Sequence, residues 1–325
     1  MLFFLLAIIA GFVLLVWSAD RFVEGAAATA KHLGMPSLLI GILIVGFGTS
    51  APEMVVSAVA AFGGNPSLAL GNAIGSNIVN ISLILGVTAM LAPIAVNSGI
   101  IKKELPLLLF IVFVSGYMLL DAQITFIEGI VLLAGFFSLI AWSVYAAMQH
   151  KNDALEKEFD AEIVIHKMSL QQGIFWLVFG LVLLVISSRI LVWGAVGVAH
   201  IFGVSDLIIG LTIVALGTSL PELAASITAT RKGEHDIAVG NVVGSNMFNI
   251  LAVIGIAAVI KPLEQIQSEV LSRDWLVMLV LTLVLMAFAY GFRGRLPKIS
   301  RLEGVGLFAC YIAYNSYIGY QLLGY

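Results

Sequence analysis

The chain has little of what a soluble domain uses to meet water. Of its 325 residues only 11% are charged, where an ordinary soluble domain carries about 25%. Hydrophobic residues make up 61% and the mean hydropathy is +1.08. That balance excludes a soluble globular protein and leaves a polytopic membrane protein. A single cysteine, Cys310, excludes an internal disulfide framework and a cysteine metal cluster. No G-x-x-x-x-G-K phosphate loop occurs, so ATP is not expected to drive anything within the chain. The five histidines form no i, i+4 pair, which leaves no zinc-type helix motif. The first apolar run, MLFFLLAIIAGFVLLVWSA, has neither a basic start nor a small-residue cleavage site, and is expected to remain as a membrane helix.

What the chain does have is long apolar runs. A helical crossing takes about 20 residues, and runs of that length fall at 2–30, 36–62, 68–93, 104–120, 124–148, 170–200, 205–230, 236–260, 273–291 and 301–321. Ten spans are therefore expected, in an all-α polytopic fold. Twelve of the sixteen Lys and Arg fall in loops on one side of that alternation, while Lys261 and Arg273 lie at the other and Arg21 and Arg189 within helices. The positive-inside bias then puts both termini outside.

The chain also repeats itself. The shift that lays GTSAPE (48–53) on GTSLPE (217–222) also lays GNAIGSNIVNI (71–81) on GNVVGSNMFNI (240–250), without a gap. Two copies of one unit are expected, at 1–148 and 170–325, joined by a cytoplasmic connector at 149–169. Each copy holds five spans, and an odd number inverts the second copy in the membrane.

The repeated motifs put costly groups in an apolar setting. A carboxylate in the hydrocarbon zone costs at least about 2.5 kcal/mol, which marks Glu53 and Glu222 as candidate functional residues; the alternative is that each merely faces water or a partner base. Pro52 and Pro221 each delete a backbone hydrogen bond and crowd the preceding turn, so both helices are expected to break there and free carbonyl oxygens. Those carbonyls, the hydroxyls of Thr49, Ser50, Thr218 and Ser219, and the two carboxylates form an all-oxygen environment suited to hard cations such as calcium or sodium. In the second motif Ser76 and Asn80, and likewise Ser245 and Asn249, are four apart and share a helix face, where they can add ligands. For Asn72, Asn77, Asn241 and Asn246, helix-to-helix glue and ion ligation both stand. Asp20, Arg21 and Glu24 read as a structural charge cluster.

With these paired motifs the chain resembles, over essentially its whole length, the sodium/calcium exchanger family of the calcium/cation antiporter superfamily, and in particular its compact prokaryotic members. The resemblance implies a secondary antiporter exchanging about three sodium ions for one calcium by alternating access, with spans one and six sliding against the rest. It implies that Glu53 and Glu222 are central to calcium binding, with the oxygens of Thr49 and Thr218. Sodium ligands are implied at Gly46 and Ala215, through their carbonyls, and at Ser76 and Ser245, with Asn80 and Asn249 as the central polar pair. Some relatives, including potassium-dependent exchangers, carry Asp where this chain has Asn249, which argues against potassium dependence here. Proton/calcium exchangers typically carry a Glu where this chain has Gly75 and Gly244, which makes proton coupling the alternative and a cation channel a more distant one. Calcium, sodium and the bilayer are the expected partners. No cofactor, no nucleic acid and no enzymatic activity are expected, and the protein is expected to work as a monomer in the inner membrane of a prokaryote.

Overall fold

The computed structural model describes residues 1–33, 37–96, 100–149, 168–202, 215–290 and 297–322. Most of the connector expected at 149–169, residues 150–167, lies outside these, as does the first part of the seventh expected span, 205–214. The described residues are almost entirely helical. Eight stretches are long and apolar enough to cross a bilayer: Leu2–Ala30, Gly41–Phe62, Pro66–Leu91, Lys102–Asp121, Phe126–Tyr145, Leu170–Val198, His235–Ile260 and Val270–Ala289. The run expected at 301–321 is also helical, Arg301–Leu322, but four tyrosines dilute its aliphatic content.

Burial runs opposite to that of a soluble protein. Large apolar side chains such as Phe12, Val13, Phe110, Phe137 and Val178 are exposed, whereas Thr49, Ser50, Glu53, Asn77, Asn80, Glu222 and Asn249 are buried. Apolar outer faces suit lipid, and the polar groups they enclose must be satisfied internally.

Two compact units are present: Met1–Pro52 with Phe137–Gly244, and Glu53–Phe136 with Ser245–Tyr325. Each unit draws on both sequence copies.

In the first unit, helix α1 (Leu2–Leu33) packs along a helix spanning Leu170–Ile201. A Cβ at Gly11 would stand 2.8 Å from the backbone nitrogen of Leu191, and one at Gly180 would stand 2.8 Å from Cα of Phe22. Only glycine permits backbones this close. Later residues of one helix meet earlier residues of the other, so the two run antiparallel. The two contacts are also exchanged by the repeat shift, which carries Gly11 to Gly180 and Phe22 to Leu191. Between them Ser18 Oγ and Ser187 Oγ, equivalent residues of the two copies, lie 3.5 Å from each other. Gly25 abuts the backbone of Leu177 and Gly194 that of Phe4, while Ala26, Ala27 and Ala30 pack against Ile40, Val45, Ala225 and Ala229.

The charge cluster is structural and gains a member. Lys232 Nζ lies 2.7 Å from Asp20 Oδ1 and 2.9 Å from Glu24 Oε1, and Arg21 is 2.9 Å from Glu24 Oε2. Arg21 also stacks over the Trp176 ring, 5.4 Å from its centroid, a cation–π contact. Desolvation pulls the Lys232 ammonium toward neutrality, but its hydrogen bonds and charge interactions with Asp20 and Glu24 outweigh it, and its pKa is raised.

In the second unit, Pro66–Val79 (α2) runs into a π-helical turn, Asn80–Leu85, and then into Gly86–Leu91. The second copy repeats this: Asn249–Ile254 is π-helical and leads into Gly255–Ile260. Loops gather at two ends. At one, Lys261 Nζ donates to Gly64 O (3.0 Å) and Ile124 pairs with Leu263; at the other, strands Ile94–Ala95 and Lys298–Ile299 pair antiparallel. Alternating crossings require this grouping.

Gly180→Leu is expected to force the two long helices of the first unit apart, costing about 1–3 kcal/mol or more. Thermal unfolding in detergent should show a clear fall in midpoint, with Val178→Leu, on the exposed side, as the silent control.

Candidate functional site

The two Pro–Glu motifs have equivalent sequences but different local structures. In the first copy a π-helical turn, Gly41–Gly46, leads into an α-helix, Phe47–Phe62, that runs through Pro52 without interruption. The expected break at Pro52 is therefore absent. The carbonyl that a proline crowds belongs to the residue four earlier, here Gly48, and the equivalent Gly217 stands before the second proline. The departure from α geometry lies upstream, in the π turn. In the second copy the expected break is present. The helical stretch Ala215–Thr218 ends at Ser219, with φ −91° and ψ 4°, and a new helix, Leu220–Arg231, begins with Pro221 in its first turn, where no backbone donor is needed. Glu222 follows in that same first turn, at the positive end of the helix dipole. Glu53 lies in mid-helix and lacks that support.

Both carboxylates are buried, each 1% exposed. Within the first unit Ser50 Oγ donates to Glu222 Oε1 (3.4 Å), while Glu222 Oε2 is buried with no hydrogen-bond partner among the described residues. Thr49 Oγ1 lies 3.0 Å from Val45 O and 3.1 Å from Asn241 Oδ1, and its one proton serves one of them at a time. Asn241 Nδ2 donates to Glu222 O (3.2 Å) and Ser226 Oγ (2.9 Å). Its amide is thereby fully used in bracing the Pro–Glu turn.

The second unit contains the same brace, built from the equivalent positions of the first copy. Asn72 Nδ2 lies 3.5 Å from Glu53 O and donates to Ser57 Oγ at 3.1 Å. The same unit holds a cluster of four buried asparagines. Asn77 Nδ2 donates to Asn246 O (3.1 Å), Asn80 Nδ2 to Asn246 Oδ1 (3.0 Å), and Asn249 Nδ2 to Asn77 Oδ1 (3.1 Å). The last two bonds are exchanged by the repeat. Oδ1 of Asn80 and Oδ1 of Asn249 are buried with no partner among the described residues. A buried amide oxygen left without a donor is costly, and the cost is lifted when a cation takes its place.

Of the other expected site residues, Ser76 and Ser245 are buried, Thr218 is half-buried, and Gly46 is buried as the last residue of its π turn. Ala215 lies in the helical stretch Ala215–Thr218 before the break. The structure favours bracing over ligation for Asn72 and Asn241. Ser57 and Ser226 were not read from the sequence as part of the site, although each stands one helical turn after its glutamate in both copies. Among the described residues no three His, Cys, Asp or Glu gather in a metal-holding group. A cation here would be held mainly by neutral oxygens and few charges, which suits release as well as binding.

Comparison with known proteins agrees with this chemistry. The sodium/calcium exchanger protein family matches residues 3–145 and 172–319. The putative antiporter CaxA of Alkalimonas amylolytica is 47% identical over 309 residues, covering 95% of this chain and 96% of its own. The inner membrane protein YrbG of Escherichia coli is 40% identical over 313 residues, covering 94% of each. Among solved structures, one of the sodium-calcium exchanger NCX_Mj superposes with a TM-score of 0.83 at 29% identity, covering 98% of this chain and 99% of that one.

Asn241→Ala removes the brace on the Glu222 turn without touching its carboxylate. Loss of such a supporting partner typically costs about 10–100-fold in metal affinity. Calcium titration calorimetry on the purified variant should show at least about a tenfold loss; unchanged affinity would show that the brace does not matter.

Proposed function

The chain belongs to the sodium/calcium exchanger family of membrane antiporters, and from that premise we propose that it exchanges sodium for calcium across the membrane by alternating access. The observation that carries this reading is the pair of buried amide oxygens, Oδ1 of Asn80 and Asn249, held without donors by side chains whose nitrogens are engaged elsewhere. Calcium takes Glu53 and Glu222 with the oxygens of Thr49 and Thr218. Sodium takes the carbonyls of Gly46 and Ala215 and the hydroxyls of Ser76 and Ser245, with Asn80 and Asn249 as the shared polar pair.

Charge gives the coupling its logic. Two carboxylates are neutralised by one calcium, whereas three sodium ions leave one positive charge, so a three-for-one cycle carries net charge across the membrane. With neither ion bound, two buried acids lose their counter-charge, at a cost of several kcal/mol each. The empty carrier is thus hindered from turning over, which is what exchange requires. Asparagine in place of a third acid at 249 fits a site without potassium. Gly244 also bears on the proton alternative: a Cβ there would stand 2.9 Å from Cα of Ile42, which leaves no room for a glutamate in the second copy, whereas a Cβ at Gly75 would meet nothing within 4 Å.

The proposed architecture is ten spans in two inverted five-helix repeats, 1–148 and 170–325, in the inner membrane of a prokaryote with both termini outside. The exchanged contacts at Gly11 and Gly180, and the matched Asn–Ser braces, support that symmetry. The close antiparallel pair formed by the first and sixth spans is the unit that slides. The protein acts as a monomer and needs neither ATP nor a cofactor.

Radioactive calcium uptake into proteoliposomes loaded with sodium, potassium or choline tests the reading. Uptake is expected only with internal sodium, and uptake driven instead by an imposed proton gradient would replace sodium by protons as the coupling ion. Glu53→Gln and Glu222→Gln should each reduce uptake to near background. Wild-type rates in either variant would remove the glutamates from the site.

A further inference from the structure

The four-asparagine cluster contains a dependence that the ligand set alone does not describe. A carboxamide has two ends of opposite polarity and nearly equal shape. An asparagine can serve a cation only if its oxygen faces the ion, and a half-turn of the terminal group replaces that oxygen with a pair of N–H donors. An aspartate has no such problem, because both of its ends are oxygens. At Asn80 and Asn249, therefore, orientation decides whether the residue attracts or repels an ion.

Each orientation is set by another asparagine. Asn249 Nδ2 is held by Asn77 Oδ1 at 3.1 Å, and Asn80 Nδ2 by Asn246 Oδ1 at 3.0 Å. Asn77 is itself fixed, because its Nδ2 donates to the backbone carbonyl of Asn246 at 3.1 Å and lies 3.4 Å from Met278 Sδ. A backbone carbonyl within a helix cannot turn over. The sequence of constraints starts at that carbonyl, passes through Asn77, and ends with Oδ1 of Asn249 facing away from both. All four side chains are 0–1% exposed, so water does not compete for these bonds.

We propose that Asn77 and Asn246 are positioning residues that determine cation affinity by fixing which end of Asn249 and Asn80 faces the ion. This rests on the exchanger reading above. They touch the cation's ligands and need not touch the cation. Asn77, anchored to backbone, sets the stiffer of the two arms.

A double-mutant cycle separates orientation from packing. Asn77→Ala leaves the Asn249 amide free to turn, and the half-saturating calcium concentration, read by titration calorimetry and by proteoliposome uptake, is expected to rise at least about tenfold. In the Asn249→Asp background the same Asn77→Ala change is expected to have little effect, since a carboxylate presents oxygen either way. Equal losses in the two backgrounds would overturn the proposal, because packing or direct ligation by Asn77 predicts them. Unchanged affinity for Asn77→Ala in the otherwise native chain would overturn it as well. Should Asn77→Ala fail to fold, the mirrored cycle of Asn246→Ala with Asn80→Asp applies the same criterion. Absence of calcium binding by the native protein would instead remove the exchanger reading itself, whereas native binding with equal losses removes only the orientation claim.

Discussion

Everything in this structure follows from the cost of holding polar groups where water cannot reach them. Glu53 and Glu222 are 1% exposed in a chain whose outer faces are apolar, and a charge in such a place persists only if protein or cargo compensates it. The hydroxyl of Ser50 and the helix N-terminus supply part of that compensation at Glu222, while the braces Asn72–Ser57 and Asn241–Ser226 hold the backbone carbonyls of the two glutamates. Among the described residues the polar atoms left without a partner include three acceptors, Oε2 of Glu222 and Oδ1 of Asn80 and Asn249, and one donor of the asparagine cluster, Nδ2 of Asn246. The unmet acceptors have the polarity that a cation fills.

Much of this was legible because the sequence says it twice. A glutamate after a proline in an apolar run is conspicuous once; found again in the second copy, beside a second matching motif, it identifies a site and implies a symmetry. The glutamates, threonines and asparagines could be named from spacing and chemistry. Their hydrogen-bond roles could not, since spacing does not say whether an amide faces a neighbour or an ion. Asn241 and Asn249 belong to the same motif, yet one spends both its donors on bracing a turn while the other leaves its oxygen without a donor.

Backbone irregularity was the least legible feature. Proline suggests a break at the same place in both copies, and only the second copy breaks there. At Pro52 the helix continues from a π turn upstream, and no local pattern marks where such a turn begins; the glycine four residues earlier is common to both copies and does not separate them. The π turns starting at Asn80 and Asn249 are likewise absent from any periodicity argument, although they recur at the repeat spacing. Compactness was also hidden. Pairing within each unit brings together residues from both sequence copies, because a helix packs against the surface complementary to it and not against its neighbour in the chain.

The ion pairs of Lys232 with Asp20 and Glu24 occur once, although the chain is built twice. The repeat shift sends Asp20 to Arg189 and Glu24 to Trp193, and returns Lys232 to Gly63, a set that cannot form the same bridge. Two halves of identical sequence, related by inversion, would give a carrier equal standing populations open to either side. An attraction that joins the halves once, with no repeat-related counterpart, tilts that balance, so the resting preference of such a carrier is written in the places where its repeats disagree.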